Sequence, residues 1–175
     1  MIRPIQMIRL MTAADIPRVA EIGIFGWRAA YRGIVSDEIM FRDRLVVTQI
    51  ARMEARFRRS ENPGDYFVDR YVYDDGIVKG NLVIAPCGDE DKPEAFELCV
   101  LYVDPAFKGE GIGTLLARYC EDIARARGYR EICLWTFEKN APTRAFYEKL
   151  GYIVDGCTQV VEPYGAVGVR YCKQL

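Results

Sequence analysis

Glycines at positions 109, 111 and 113 stand between a strand-patterned stretch that ends at Val103 and a helix-patterned one that begins near Ile112. A chain built this way aims a row of backbone N–H groups, and the positive end of a helix dipole, at whatever lies above the loop. The chemistry on offer is anion binding. What is missing constrains the anion. A Walker loop ends in Gly-Lys-Ser or Gly-Lys-Thr, so that a lysine reaches the terminal phosphates and a hydroxyl holds magnesium; here Gly113 runs directly into Thr114. A dinucleotide fingerprint has a third glycine at the place of Thr114 and an acidic residue for the ribose, which has no clear counterpart. A phosphate cradle without a metal hydroxyl remains. The alternative is a tight turn with no ligand, but each glycine costs backbone entropy and three exceed what a turn needs.

Other reactive side chains are few. The chain contains no histidine, so the commonest general base is absent and zinc is disfavoured. Six cysteines, at 87, 99, 120, 133, 157 and 172, show no CxxC spacing. Four of them fall inside apolar strand or helix patterns, which predicts free buried thiols rather than disulfides or metal ligands. Glu97 is the single charge in Phe96 to Val103. A carboxylate amid Phe96, Leu98 and Cys99 has a raised pKa suited to accepting a proton; a strand-end glutamate in solvent is the equal alternative.

The elements that must position these groups follow from periodicity. Ile112, Leu115, Leu116, Tyr119, Cys120 and Ile123 form a core-facing helical stripe, with Arg118, Glu121, Asp122 and Arg125 opposite and Gly128 as the stop. Upstream, a strand at Ile5 to Leu10 precedes a helix from Thr12 to about Tyr31, and Ser36 to Ser60 reads as a second helical region broken by Asn62-Pro63-Gly64. Strands at Tyr66 to Tyr73 and Ile77 to Ile84 are joined by Asp74-Asp75-Gly76, a hairpin turn, and Pro86 to Pro93 is a solvated loop. Beyond Gly128 come a strand at Ile132 to Phe137, a helix from Asn140 to Leu150, and closing strands near Tyr152 to Val161 and Val167 to Lys173.

Lys108-Gly109-Glu110-Gly111-Ile112-Gly113 resembles the pyrophosphate loop of the GNAT superfamily of N-acetyltransferases, with Lys108 where Arg or Gln is usual. Leu101-Tyr102-Val103-Asp104-Pro105 is similar to the family's fourth strand, and Leu134 to Tyr152, LWTFEKNAPTRAFYEKLGY, to the segment that closes its acetyl-CoA site. The resemblance implies an α/β layered fold: a mixed, mostly antiparallel, twisted sheet of about seven strands, splayed between strands 4 and 5 and flanked by about four helices. It implies acetyl-CoA as co-substrate, held by residues 108 to 114 (Thr114 included) through the backbone and by the open edge at Leu101, Tyr102 and Val103. Asn140 would cap its helix and touch the cofactor. Tyr147 takes the family's acid position, and a phenol's ordinary pKa of about 10 is comparable to a thiol's; the alternative is an aromatic packed beside Phe146. Glu97 is the candidate base, with water as the other route.

For the acceptor, Trp27 and Tyr31 share a helical face and, with Trp135, either line a pocket or pack as core. Trp135 stands where relatives that acetylate ribosomal proteins carry a glutamate, which favours a small primary amine. Arg144 reads as a phosphate neighbour or a solvated side chain, and Arg52, Arg56 and Arg59 as a solvated face. Function classes left open beside the transferase are a non-catalytic acyl-CoA-binding module and a nucleotide-binding regulatory module.

Composition fits. With 175 residues, half of them hydrophobic, the expectation is one domain over 1–175. A net charge of −1 from 24 basic and 25 acidic residues argues against a nucleic-acid binder. The absence of a membrane-length apolar run or a leader pattern predicts a soluble, cytoplasmic protein without a membrane partner or a metal. The closing strands leave room for a homodimer.

Overall fold

The computed structural model describes residues 7–59 and 68–175. Its strands are β1 (Ile8–Leu10), β2 (Asp69–Asp74), β3 (Val78–Pro86), β4 (Phe96–Val103), β5 (Glu131–Phe137), β6 (Ile153–Val161) and β7 (Ala166–Gln174); its α-helices are α1 (Ile16–Tyr31), α2 (Val46–Arg59), α3 (Ile112–Ala126) and α4 (Ala141–Lys149). The strands form one seven-stranded sheet in the order β1-β2-β3-β4-β5-β7-β6. Every neighbouring pair is antiparallel except β4 and β5, which run parallel. The mixed, mostly antiparallel sheet with four α-helices agrees with the expected fold. Ile5, Ser60, Tyr66 and the breaker at Asn62-Pro63-Gly64 lie outside the described residues.

The β4–β5 pair holds the sheet together only at its start, where Phe96 faces Ile132 and Glu97 faces Cys133. Beyond that the strands part, and a local cause is visible on the other edge of β4. Val83 pairs with Val100 while the next residue, Ile84, pairs with Leu98, so Cys99 is an unpaired extra residue. Such a bulge bends and twists its strand. It also resets the side-chain alternation. Phe96 and Leu98 before it, and Leu101 and Val103 after it, all pack on the α3 and α4 side of the sheet, whereas Tyr102 joins Trp27 and Tyr31 on the α1 side.

Helix α3 lies on the sheet through Ile112, Leu116, Ala117, Cys120 and Ala124. Its buried face is rotated from the expected one. Leu115 is 44% exposed, and Glu121, expected in solvent, is 4% exposed because Lys173 Nζ reaches down from β7 to bond it at 2.8 Å. The region expected as one helix over Ser36 to Ser60 is divided into a five-residue π turn, Ile39–Asp43, and α2. Arg28 of α1 explains the division. Its guanidinium donates to the carbonyls of Met40 (3.2 Å) and Arg44 (2.8 Å), which would otherwise be left without partners at the break. At the hairpin, Gly76 N–H donates to Asp74 Oδ1 at 3.0 Å and takes φ of 110°, as the Asp-Gly turn requires.

Candidate functional site

Where β4 and β5 part, a cleft of about 470 Å³ opens, and the glycine loop forms one end of it. Asp104 turns the chain out of β4: its carboxylate accepts from Ala106 N–H at 2.9 Å and from Arg18 of α1, whose Nε also donates to the Val78 carbonyl at 3.0 Å. Gly109 and Gly111 take φ of 90° and 82°, conformations that any side chain with a Cβ resists, and Gly111 is the residue at which α3 begins. Among the described residues, no backbone or side-chain acceptor takes the N–H groups of residues 109 to 114. The edge of β4 that faces β5 is likewise without a backbone partner beyond Glu97.

Most of the residues singled out from sequence meet here. Tyr31, Leu101, Tyr102, Val103, Lys108, Gly109, Gly111, Ile112, Gly113, Thr114, Trp135 and Tyr147 all line the cleft. Four do not. Glu110 turns to Lys79 Nζ at 3.6 Å, and Trp27 lines the neighbouring cavity on the α1–α2 face. Asn140 is a helix cap, its Oδ1 accepting from Thr143 N–H at 3.4 Å, while its buried Nδ2 has no partner. Glu97 stands at the closed end of the splay, paired with Cys133. Burial and the nearby Asp89 raise its pKa, while a bond from the Gly88 backbone opposes the shift.

Tyr147 is buried on α4, edge to face with Phe146 (ring centroids 5.0 Å apart) and with Tyr152 (5.6 Å). It packs beside Phe146 and also lines the cleft. Burial pushes its hydroxyl well above the usual phenol range, so it remains protonated at neutral pH. Tyr31 reaches the same space from α1, again with its pKa raised by burial. Trp27 packs against Tyr31 at 5.2 Å and Arg44 lies over its ring at 4.6 Å, so the pair is core and pocket wall together. Trp135 is fixed by donation from Nε1 to Asp89 Oδ2 at 3.0 Å. Arg144 faces neither solvent alone nor the loop: it bonds Tyr171 Oη and the Glu138 carbonyl, each at 2.9 Å.

Among the wall residues outside the set singled out from sequence, Cys99 and Thr136 carry reactive or polar groups. Cys99, expected as a buried thiol, is exposed and lines the cleft because it is the bulged residue. Thr136 lines it too, with a buried Oγ1 that has no partner; no local signal in the chain marks either one. All six cysteines are free thiols, as expected, but only Cys120, Cys133 and Cys172 are buried. No described helix is long and apolar enough to cross a membrane.

Comparison with known proteins agrees with this geometry. Residues 27–152 match the family described as Acetyltransferase (GNAT) family. A protein of Mycobacterium tuberculosis named "Probable N-acetyltransferase Rv2775" is 25% identical over 165 residues, covering 94% of this chain and 89% of its own length. An uncharacterized N-acetyltransferase of Methanocaldococcus jannaschii is 36% identical over 76 residues, 41% of this chain and 34% of that protein, so the match spans about a third of that relative's length. A mycothiol acetyltransferase of Corynebacterium glutamicum is 37% identical over 65 residues, 37% of this chain and 22% of that protein. Among solved structures, the PaiA N-acetyltransferase of Thermoplasma acidophilum in complex with coenzyme A superimposes with a TM-score of 0.74 at 19% identity, covering 96% of this chain and 98% of that one. With the family match spanning most of the chain and the splayed sheet shared with that fold, the protein belongs to the GNAT family of acetyltransferases, acyltransferases that carry groups other than aminoacyl.

Proposed function

We propose that residues 1–175 work as one acetyl-CoA-dependent N-acetyltransferase domain, moving the acetyl group to the primary amine of a small molecule by direct attack while both substrates are bound. The observation that carries this reading is the run of unpaired N–H groups at 109 to 114, opening onto a cleft that Tyr147 also lines. These residues fit acetyl-CoA. The loop amides, beside the Lys108 ammonium, suit a diphosphate. The unpaired edge of β4 at Leu101, Tyr102 and Val103 suits an arm that carries amides, and the orphaned Thr136 Oγ1 and Asn140 Nδ2 are further polar atoms in or beside the same walls. When bound, acetyl-CoA supplies a thioester, with a carbonyl open to an amine and a sulfur that leaves readily.

The chain's own contribution is to hold, shield and donate. Free N–H groups on the β4 edge are placed to donate to an oxygen that gains charge during the reaction. Tyr147 keeps its proton, because burial opposes the phenolate, and so serves as a hydrogen-bond donor to the departing sulfur. This differs from the expectation of a phenol matched to a thiol: the matching holds for a solvated tyrosine, not one packed between Phe146 and Tyr152. Glu97 lines no part of the cleft, and in this reading the amine's proton reaches it, or solvent, only through water.

Calorimetry with acetyl-CoA, free CoA, ATP and NAD, followed by a thiol-release assay over an amine library, tests the proposal. The expected result is binding of acetyl-CoA and CoA alone, with thiol released only when a suitable amine is present. Binding of acetyl-CoA with no turnover on any amine would make the protein an acyl-CoA-binding module. Stabilisation by nucleotides without acetyl-CoA would make it a nucleotide-binding one.

A further inference from the structure

On the opposite face of the sheet from α3, a second cavity of about 420 Å³ lies between α1, α2 and strands β2 to β4. Val100 and Tyr102 line both this cavity and the cleft in the splay, so the two spaces share a wall. Four arginines line the second one: Arg44 ahead of α2, Arg52 and Arg56 on it, and Arg70 on β2. Among the described residues, none of the four forms an ion pair with a carboxylate. Sequence periodicity assigned Arg52 and Arg56 to a solvated face, and both are exposed; Arg44 and Arg70, from separate segments, are half-buried and turn that face into a concave wall.

Elsewhere among the described residues several cations are paired with carboxylates, and half-buried Arg28 and Arg144 are met by backbone carbonyls and, for Arg144, the Tyr171 hydroxyl. Arg9 has Asp15 and Asp74, Arg18 has Asp104 and Glu21, and Arg170 has Asp89, Asp91 and Asp155. Among the described residues, several half-buried or neighbouring arginines gather without an answering carboxylate only here, and this is costly. Arg44 has its pKa lowered by burial and by repulsion from Arg52 and Arg56, and Arg70 by burial and by Arg56. Proteins relieve such repulsion by taking up an anion. A second observation points to a ligand in the same cavity. Asn81 lines it, is 5% exposed, and its Oδ1 has no hydrogen-bond partner. An acceptor atom without a donor is suited to an N–H, and Asn81 pairs across the strands with Tyr102, at the shared wall.

The geometry points to an acceptor amine that carries an anionic group, a carboxylate or a phosphate, bound by Arg44, Arg52, Arg56 and Arg70 with its nitrogen directed past Asn81 and Tyr102 toward the cleft. This rests on the N-acetyltransferase reading and narrows it. The same four cations disfavour an ammonium nearby, so they favour the neutral, nucleophilic form of the amine and disfavour acceptors whose remaining charge is positive. That supplies a physical route to a reactive amine in a site whose walls hold no histidine.

The test has two arms. In the first, succinate and inorganic phosphate are titrated against tryptophan fluorescence, since Trp27 lines this cavity beneath Arg44. Saturable binding that weakens at least tenfold in Arg56→Gln and Arg70→Gln is expected, while calorimetric affinity for acetyl-CoA stays as in the parent. In the second, thiol release is compared for amino acids, amino-sugar phosphates, their uncharged analogues and diamines. Anionic amines should be preferred at least tenfold in kcat/KM, with the preference falling as salt rises and collapsing in the two variants; the better of the carboxylate and phosphate sets identifies the anion. Equal or better turnover of diamines or neutral amines, or anionic turnover unchanged by both substitutions, would overturn the inference. So would a failure of both anions to bind. Arginine-dependent anion binding in a protein that acetylates nothing would instead overturn the transferase reading and leave the anion site standing.

Discussion

The two cavities that meet at Tyr102 are built by different means. On the proposed cofactor side the groups on offer are backbone N–H groups, set by two left-handed glycines and the start of one helix, and the whole device lies within residues 104–114. On the α1–α2 side the groups proposed to bind are side chains, delivered by four arginines from three segments of chain. A backbone device is a property of a short string of residues and depends little on the identity of its side chains. A side-chain device exists only once the fold has brought its parts together. Substitutions on the two sides should therefore separate cleanly, those on the loop moving cofactor affinity and those on α1 or α2 moving acceptor KM.

The largest effect should come where the two sides meet the reaction. Tyr147→Phe keeps the aromatic packing against Phe146 and Tyr152 and removes one hydroxyl. Loss of a positioned proton donor lowers kcat by about 100-fold, with the melting temperature and acetyl-CoA affinity unchanged. If kcat survives, the residue is packing alone. Next in size is Gly111→Ala. No atom crowds a Cβ at this position, so the cost is the left-handed φ of 82° itself, roughly 1–2 kcal/mol. Relief of that strain by movement of the loop should weaken acetyl-CoA binding about tenfold while leaving acceptor KM alone. An unchanged affinity would show that the loop is not the cradle.

Smaller, and at the wall the two sides share, is Gly26→Ala on α1, which lines the cleft against Tyr102. In the interior of a helix alanine is favoured by about 1 kcal/mol, but here its Cβ would lie 2.9 Å from Tyr102 Cδ1. The ring must shift, and Tyr102 is the wall between the cavities. Acceptor KM should rise severalfold with cofactor affinity intact; steady-state kinetics with acetyl-CoA saturating would show it. A change in cofactor affinity instead would mean the sides are not independent.

The same contrast explains what was legible in the sequence. The glycine loop, the Asn140 cap, the Asp-Gly hairpin and the β4 boundaries are local, and each is where the residues placed it. The bulge at Cys99 was not readable, because it is a mismatch of register between β4 and a strand ten or more residues away. The rotation of α3 depends on Lys173, which meets Glu121 across 52 positions. Arg28 ends the π turn from a neighbouring helix, and the arginine cavity needs β2 to supply Arg70. In every case the missing information is a partner distant in sequence, which no periodicity in the segment itself encodes.

The smallest effect concerns how each side is fastened to the sheet. Helix α3 is held by apolar packing through Ile112, Leu116 and Cys120, whereas the start of α1 is clamped by charge. Arg9 of β1 bonds both oxygens of Asp15 at 2.8 Å, and Asp15 Oδ2 also accepts from the Thr12 backbone and hydroxyl at 2.8 Å. The Arg9 bond leads in lowering the Asp15 pKa from 3.8 to about 2, against the opposing effect of burial. A folded value below the unfolded one contributes stability that is complete above 3.8 and is lost as pH falls through about 2. The shift corresponds to roughly 2 kcal/mol at most, and because Arg9 is 37% exposed, solvent screening reduces it to about 1 kcal/mol. Asp15→Asn should cost that much at neutral pH in a denaturant titration, and its deficit against the parent should shrink as pH falls from 3.8 toward 2. Acid should accordingly loosen the α1 side before α3, raising amide exchange around residues 12–20 first. A deficit that stays constant across that pH range would assign the role of Asp15 to its uncharged hydrogen bonds with Thr12, and the charge-fastened picture of the acceptor side would fall with it.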